Sequence, residues 1–123
     1  MTQERLSLGK RGEELAIGHL KALKYRILER NFKCRLGEID IIARDKSTLV
    51  FIEVKTRATK EFGGPAAAVH ERKQRQLSKV ALTYLNQKNL HHIPARFDVV
   101  AVELIPPLPK IEVIRNAFDL CYE

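Results

Sequence analysis

Apolar residues recur along the chain with two different periods, and the periods divide it into elements. From about Ser7 to Lys24, the positions Leu15, Ala16, Ile17, Leu20 and Leu23 form a broad stripe at helical spacing, with Ser7 placed to cap its start. Tyr25 to Cys34 reads as a first strand with Leu28, Phe32 and Cys34 on one face. Two further strands, Glu38 to Arg44 and Leu49 to Lys55, flank the turn-like Arg44-Asp45-Lys46-Ser47-Thr48 and predict a β-hairpin. Gly63-Gly64-Pro65 breaks the chain, and Pro65 suits the first turn of a second helix reaching about Asn89. In that helix Leu77, Val80, Ala81, Tyr84 and Leu85 keep the spacing of one buried face.

Beyond Pro94, the segment Phe97 to Leu104 is apolar on both faces except at Asp98 and Glu103, as in a strand covered on both sides. Pro106-Pro107-Leu108-Pro109 is a stiff connector, and Ile111 to Ile114 a last, edge strand. The order α-β-β-β-α-β-β predicts an α/β fold, a mixed central β-sheet of about five strands flanked by helices. A chain of 123 residues suits a single domain spanning 1–123.

The hairpin carries the sharpest chemistry. If Arg44 faces Leu49, then Asp40 falls opposite Glu53. Alternation puts Asp40, Glu53 and Lys55 on one face, with Ile39, Ile41, Ile52 and Val54 on the other. Opposed Cβ atoms lie about 4.5–5.5 Å apart, so two carboxylates there repel, and removing one would stabilise the sheet by roughly 0.2–1 kcal/mol. A divalent cation, Mg²⁺ or Mn²⁺, would offset the repulsion through carboxylate oxygens. Lys55 would then orient a nucleophilic water or stabilise charge on a phosphate. The plainer alternative is a solvent-facing hairpin with Lys55 ion-paired to a carboxylate.

Glu13 borders the buried stripe of the first helix, whereas Glu14 points about 100° away. A carboxylate at a core margin needs a partner, either Lys73 or Arg57 or a metal site. Lys73 lies one turn from both Val69 and Leu77, and with His70, Arg72, Arg75 and Lys79 it could make a phosphate-contacting face or an ordinary charged helix surface. Asp98 either braces the site or pairs with Arg96. His91-His92, at a helix end, reads as a cap or an exposed turn rather than a ligand pair.

Charge changes this picture modestly. The net charge is +7, with 45% hydrophobic and 30% charged residues, and the isoelectric point is about 9.6. A basic excess is compatible with nucleic acid and equally with a solvated basic surface. Five Phe, three Tyr and no Trp leave few stacking platforms, so nucleic-acid binding is expected to be electrostatic rather than sequence-specific. Cys34 and Cys121 have no metal-ligand spacing and read as reduced thiols. No apolar leader and no bilayer-length run are evident, so a cytoplasmic protein without membrane contact is expected.

Asp40, then twelve residues, then Glu53-Val54-Lys55 resembles the PD-(D/E)xK nuclease signature. With Gly9-Lys10-Arg11-Gly12-Glu13, Asn31-Phe32, Gly37-Glu38-Ile39-Asp40, Phe51 through Arg57, Lys73 and Arg96-Phe97-Asp98-Val99-Val100, nearly the whole chain resembles the YraN family. That resemblance implies a restriction-endonuclease-like, Holliday-junction-resolvase-like fold. It further implies Asp40 and Glu53 as metal ligands, Lys55 as catalytic lysine and Glu13 as accessory acid. Two positions depart from the pattern: Gln76 stands where the family tends to carry a basic residue, and Ile39 where the wider signature has proline.

The expected function is a Mg²⁺-dependent endonuclease acting on structured or branched DNA, with Arg57, Arg72, Lys73 and Arg75 contacting the nucleic acid. A non-catalytic nucleic-acid-binding protein of the same fold is the alternative, and a scaffold with structural acids a third. DNA is the expected partner, and a homodimer is left open.

Overall fold

The computed structural model describes residues 3–58 and 69–120. Its elements are α1 (Gln3–Ala22), β1 (Arg26–Cys34), β2 (Gly37–Asp45), β3 (Thr48–Arg57), α2 (Glu71–Lys88), β4 (Ala95–Glu103) and β5 (Lys110–Phe118), in the order the periodicity predicts. The five strands form one mixed sheet in sequence order, β1-β2-β3-β4-β5. Three neighbouring pairs are antiparallel, while β3 and β4 are parallel. Parallel neighbours need a long crossover, and α2 lies within it. The α/β architecture is therefore as expected.

The two helices cover opposite faces of the sheet. On the α1 side, Ala16, Ile17 and Leu20 pack with Ile41, Ala43, Val50, Ile52, Val100 and Val102. On the α2 side, Leu77, Val80, Ala81, Tyr84 and Leu85 pack with Ile42, Leu49, Phe51 and Phe97. Edge-to-face contacts link Tyr84 to Phe32 and Phe51 at centroid distances of 5.2 and 6.0 Å. Strands β3 and β4, buried from both sides, carry the continuous apolar runs that such burial requires.

Several local expectations are corrected. Ser7 lies inside α1, which begins earlier, so it caps nothing. The stripe of α1 stops short of Leu23, 40% exposed in the turn after the helix. In β1 the pairing with β2 shifts register between Ile27 and Glu29, and the intervening Leu28 turns outward, 37% exposed. Helix α2 begins at Glu71, because His70 is extended at φ −73° and ψ 162°. Gly63-Gly64-Pro65 and Cys121 lie outside the described residues. Asn89 at φ 55° supplies the left-handed residue that ends α2.

One glycine sets how closely α1 approaches β3. A Cβ at Gly12 would lie 1.9 Å from Thr56 Oγ1 and 2.8 Å from Thr56 Cβ. Rotating the hydroxyl away does not clear the second contact, so the backbones must separate. Gly12→Ala is expected to destabilise the protein by about 1–3 kcal/mol through overpacking, somewhat offset by alanine's better helix propensity. Urea unfolding measures the difference, and an unchanged midpoint would show that the interface yields freely.

Candidate functional site

The β2–β3 pairing has the register that places two acids together. Arg44 pairs with Leu49 and Ile41 with Ile52, across the two-residue turn Lys46-Ser47. The ladder ends at Ile41–Ile52. One residue further, Asp40 Oδ2 accepts a hydrogen bond from the Val54 N–H at 2.8 Å. A carboxylate thus takes up the backbone donor where β2 leaves β3. Glu53 lies beside it, with its side chain 15% exposed. Burial, then the charge of Glu53, push the Asp40 carboxyl up to about 7, against the opposing pull of the Val54 N–H. Ile39 was expected with Ile41, but it packs in the α2-side cluster instead. The strand turns where its ladder to β3 is lost.

Four further side chains, Glu13, Asn31, Glu38 and Lys73, surround this pair. Glu13 of α1 is raised above its usual range by burial and then by the charge of Asp40, while Asn31 opposes the shift through a hydrogen bond. With its amide turned to donate to both carboxylates, Asn31 nitrogen lies 3.1 Å from Glu38 Oε1 and 3.3 Å from Glu13 Oε1. Lys73 of α2 stands 3.7 Å from Glu53 Oε2. The partner of Lys73 is therefore Glu53 rather than Glu13, since Glu53 faces α2 and Glu13 approaches from the α1 side. Asp40, Glu53, Glu38, Lys33, Lys73 and Gln76 all line one open groove of about 590 Å³. Lys55, two residues beyond Glu53 on β3, is not among the residues lining it.

Asn31 and Glu38 are additions to the set read from the sequence. Alternation could have found Glu38, which shares a strand face with Asp40. Asn31 enters the sequence reading only as part of the Asn31-Phe32 motif, with no role attached, and its residue type tolerates the φ of 53° found there.

A second groove of about 580 Å³ adjoins the first, and the two share Lys73 and Gln76. His70, Arg72, Arg75 and Lys79 line it. Arg72, Lys73 and Arg75 are thereby brought alongside the acids, whereas Arg57, at the end of β3, lines neither groove. Gln76, at the position of departure from the resembled pattern, donates through Nε2 to the Leu36 carbonyl at 3.2 Å. The same amide lies 2.9 Å from where a Cβ of Gly37 would be, and Gly37 has φ +147°, which favours glycine.

Residues 12–102 match the model of the uncharacterised protein family UPF0102. The chain belongs to the UPF0102 (YraN) family. It is 55% identical to a UPF0102 protein of Geobacter sulfurreducens over 116 residues, 94% of this chain and 91% of that protein. A UPF0102 protein of Geobacter metallireducens is 51% identical over 122 residues, 99% of this chain and the whole of that relative. One from Syntrophus aciditrophicus is 52% identical over 122 residues, covering 99% and 95%.

The UPF0102 span contains both grooves and, apart from Arg115 and Asn116, a second polar cluster on the α1 face of the sheet. Asp98 pairs with Arg96, which settles the choice that the sequence leaves open: Arg96 Nε donates to Asp98 Oδ1 at 2.9 Å. Tyr25 donates to Asp98 Oδ2 at 2.9 Å and the Asn116 N–H to Oδ1 at 3.0 Å. Arg96 also reaches Asp45 at 2.8 Å. This cluster lies at the turn end of the β2–β3 hairpin, away from Asp40 and Glu53. His91 and His92 are exposed in a turn, with His91 Nε2 2.5 Å from Asn86 Oδ1. Among the described residues, no three acidic, His or Cys side chains are gathered as a ready metal-ligand set, and no helix is long and apolar enough to cross a membrane.

Proposed function

We propose that the protein is a Mg²⁺- or Mn²⁺-dependent endonuclease acting on structured or branched DNA. One observation carries the proposal: a half-buried carboxylate pair, with Asp40 pushed up to about 7, opens directly onto a basic groove. Two adjacent hard oxygen donors, only one of which has a cationic partner in Lys73, suit a divalent cation of this kind. Asp40 and Glu53 would hold it, and Glu13 would add negative charge from α1. When bound, the metal would lower the pKa of a water and offset charge on the phosphate.

The chain's own groups do the rest. The Val54 N–H fixes the rotation of Asp40. Arg72 and Arg75 would hold the phosphate backbone along α2, and Lys73 would link that backbone to Glu53. Lys55, as the resemblance implies, would stabilise charge at the reacting phosphate, and Arg57 would extend the cationic face along β3. The alternative, a non-catalytic nucleic-acid-binding protein, draws support from the Lys73–Glu53 contact, which already balances one acid, and from Lys55 lying outside the acidic groove's lining.

Cleavage of labelled duplex, flap and four-way junction DNA, with Mg²⁺, Mn²⁺ or EDTA, tests the two readings. Metal-dependent cuts of the branched substrates are expected. If Arg72, Lys73, Arg75 and Lys79 each neutralise one phosphate, the log–log dependence of affinity on salt has a slope of about −3.6. Salt-steep binding without cleavage in either metal would leave the non-catalytic reading. Tight binding that is flat in salt would count against both.

A further inference from the structure

Leu36 stands at the tip of the β1–β2 hairpin, in the two-residue turn Arg35-Leu36, and is 50% exposed. Hairpin turns ordinarily carry glycine or polar residues, and a leucine there contributes nothing to the core. A single exposed leucine is unremarkable on its own. This one is held in place from outside its own hairpin. The bond from Gln76 to its carbonyl ties the tip to α2, 40 positions away in sequence. Gly37 beside it leaves no room for a side chain between tip and helix.

Its surroundings are cationic. Leu36 lines the same groove as Arg72, Arg75 and Lys79, while Lys33 and Gly37 of the same hairpin line the acidic groove. The tip therefore stands at the border between the basic groove and the carboxylate pair. A ligand that fits both an apolar point and a run of cations must offer an anionic backbone and an apolar surface side by side. A nucleic acid with an accessible base face does so, and an intact duplex, whose bases are stacked, does not.

We propose that Leu36 is a wedge that enters an open base step at a branch, flap or bulge while the phosphate backbone lies along α2. The inference rests on the nucleic-acid reading given above and adds to it the feature by which branched DNA is distinguished from duplex. Apolar side chains inserted at base steps are an established way for proteins to exploit unstacking. At a branch the stack is interrupted and opens at lower cost than within a duplex, so the wedge favours that site.

The test uses the full chain and its variants Leu36→Ser and Gln76→Ala, at low salt, in EDTA and again in Ca²⁺. The probes are a four-way junction and an intact duplex of the same length and base composition, with 2-aminopurine at the branch. The wild type is expected to prefer the junction and to raise 2-aminopurine fluorescence on binding. Leu36→Ser should lower junction affinity by about tenfold, the scale of burying one leucine side chain, leave duplex affinity unchanged and abolish the fluorescence rise. Gln76→Ala, which frees the tip, should reduce the rise while the thermal melt stays that of the wild type. If the wild type binds both DNAs and Leu36→Ser changes neither, or weakens both equally, the wedge is refuted and DNA binding stands. If the wild type binds neither DNA in either condition, the nucleic-acid reading fails and the wedge falls with it.

Discussion

Asp98→Ala is expected to cost about 3–5 kcal/mol of stability, the scale for removing one partner of a buried ion pair. The Asp98 side chain is fully buried, and its two oxygens take four hydrogen bonds: from Tyr25, from Arg96 Nε and Nη2, and from the Asn116 N–H. Arg96 and Arg115 also lie over the Tyr25 ring at 5.8 and 5.6 Å. Without the carboxylate, Arg96 keeps only Asp45 to balance its charge, while the Tyr25 hydroxyl and the Asn116 amide lose their acceptor. The pairing of β4 with β5 slips at this point, between Phe97 and Val99, and Asp98 supplies the acceptor that the interrupted ladder does not. Asp98→Asn keeps the shape without the charge and should fall between the two. Urea unfolding at neutral pH measures this, and a loss below about 1 kcal/mol would mean that the cluster is dispensable.

Asp40→Asn is expected to abolish metal-dependent cleavage and, without metal, to make the protein more stable than the wild type above pH 7. The asparagine oxygen can still accept from the Val54 N–H, and its amide can donate to Glu53, as protonated Asp40 does. The Asp40 carboxyl sits at about 7 when folded, against 3.8 for the ordinary carboxyl. The folded protein therefore keeps a proton that the unfolded chain releases across that interval. The stabilisation is complete below the ordinary value and is lost as pH climbs through 7, at up to about 1.4 kcal/mol per pH unit. Glu13, also raised, adds in the same direction. Asp40→Asn should remove most of this slope. Mg²⁺ should raise the melting temperature of the wild type by mass action and do little for the variant. Melts at pH 5 and pH 8, in EDTA and in Mg²⁺, check all three statements. A variant less stable at every pH, with no Mg²⁺ effect on either protein, would make the acidic pair structural. Asp40→Ala is a poorer probe, because it also strands the Val54 N–H, at about 1–3 kcal/mol.

That distinction marks where the sequence was informative. Alternation and a short turn sufficed to pair Ile41 with Ile52 and to put Asp40 beside Glu53, because register and face are local properties of a hairpin. The same argument treated the hairpin as continuous. It could not show that the ladder stops at Ile41, that Asp40 replaces a backbone acceptor, or that Ile39 changes sides. Helix α2 was legible from its apolar stripe, yet the partner of Lys73 was not, since facing elements are set by tertiary packing. The Tyr25–Asp98–Arg96 cluster joins residues 71 and 73 positions apart, and no pattern in a single chain reports such pairs. Leu28 was misplaced because an irregularity in β1 has no signature beyond the residue that it exposes.

The position of the acids within the sheet also bears on how this protein can change. Glu53 belongs to β3, the middle strand of five, whose neighbours and two covering helices fix it on every side. Leu36 belongs to a turn of the outermost hairpin, joined to the helix by one amide. If the groove grips DNA, substitutions at the tip can therefore alter what is gripped while leaving Glu53 where it is. Substitutions in β3 have no such freedom. If the rim grips DNA and the carboxylates cut it, as proposed, binding preferences can change at the rim without rebuilding β3.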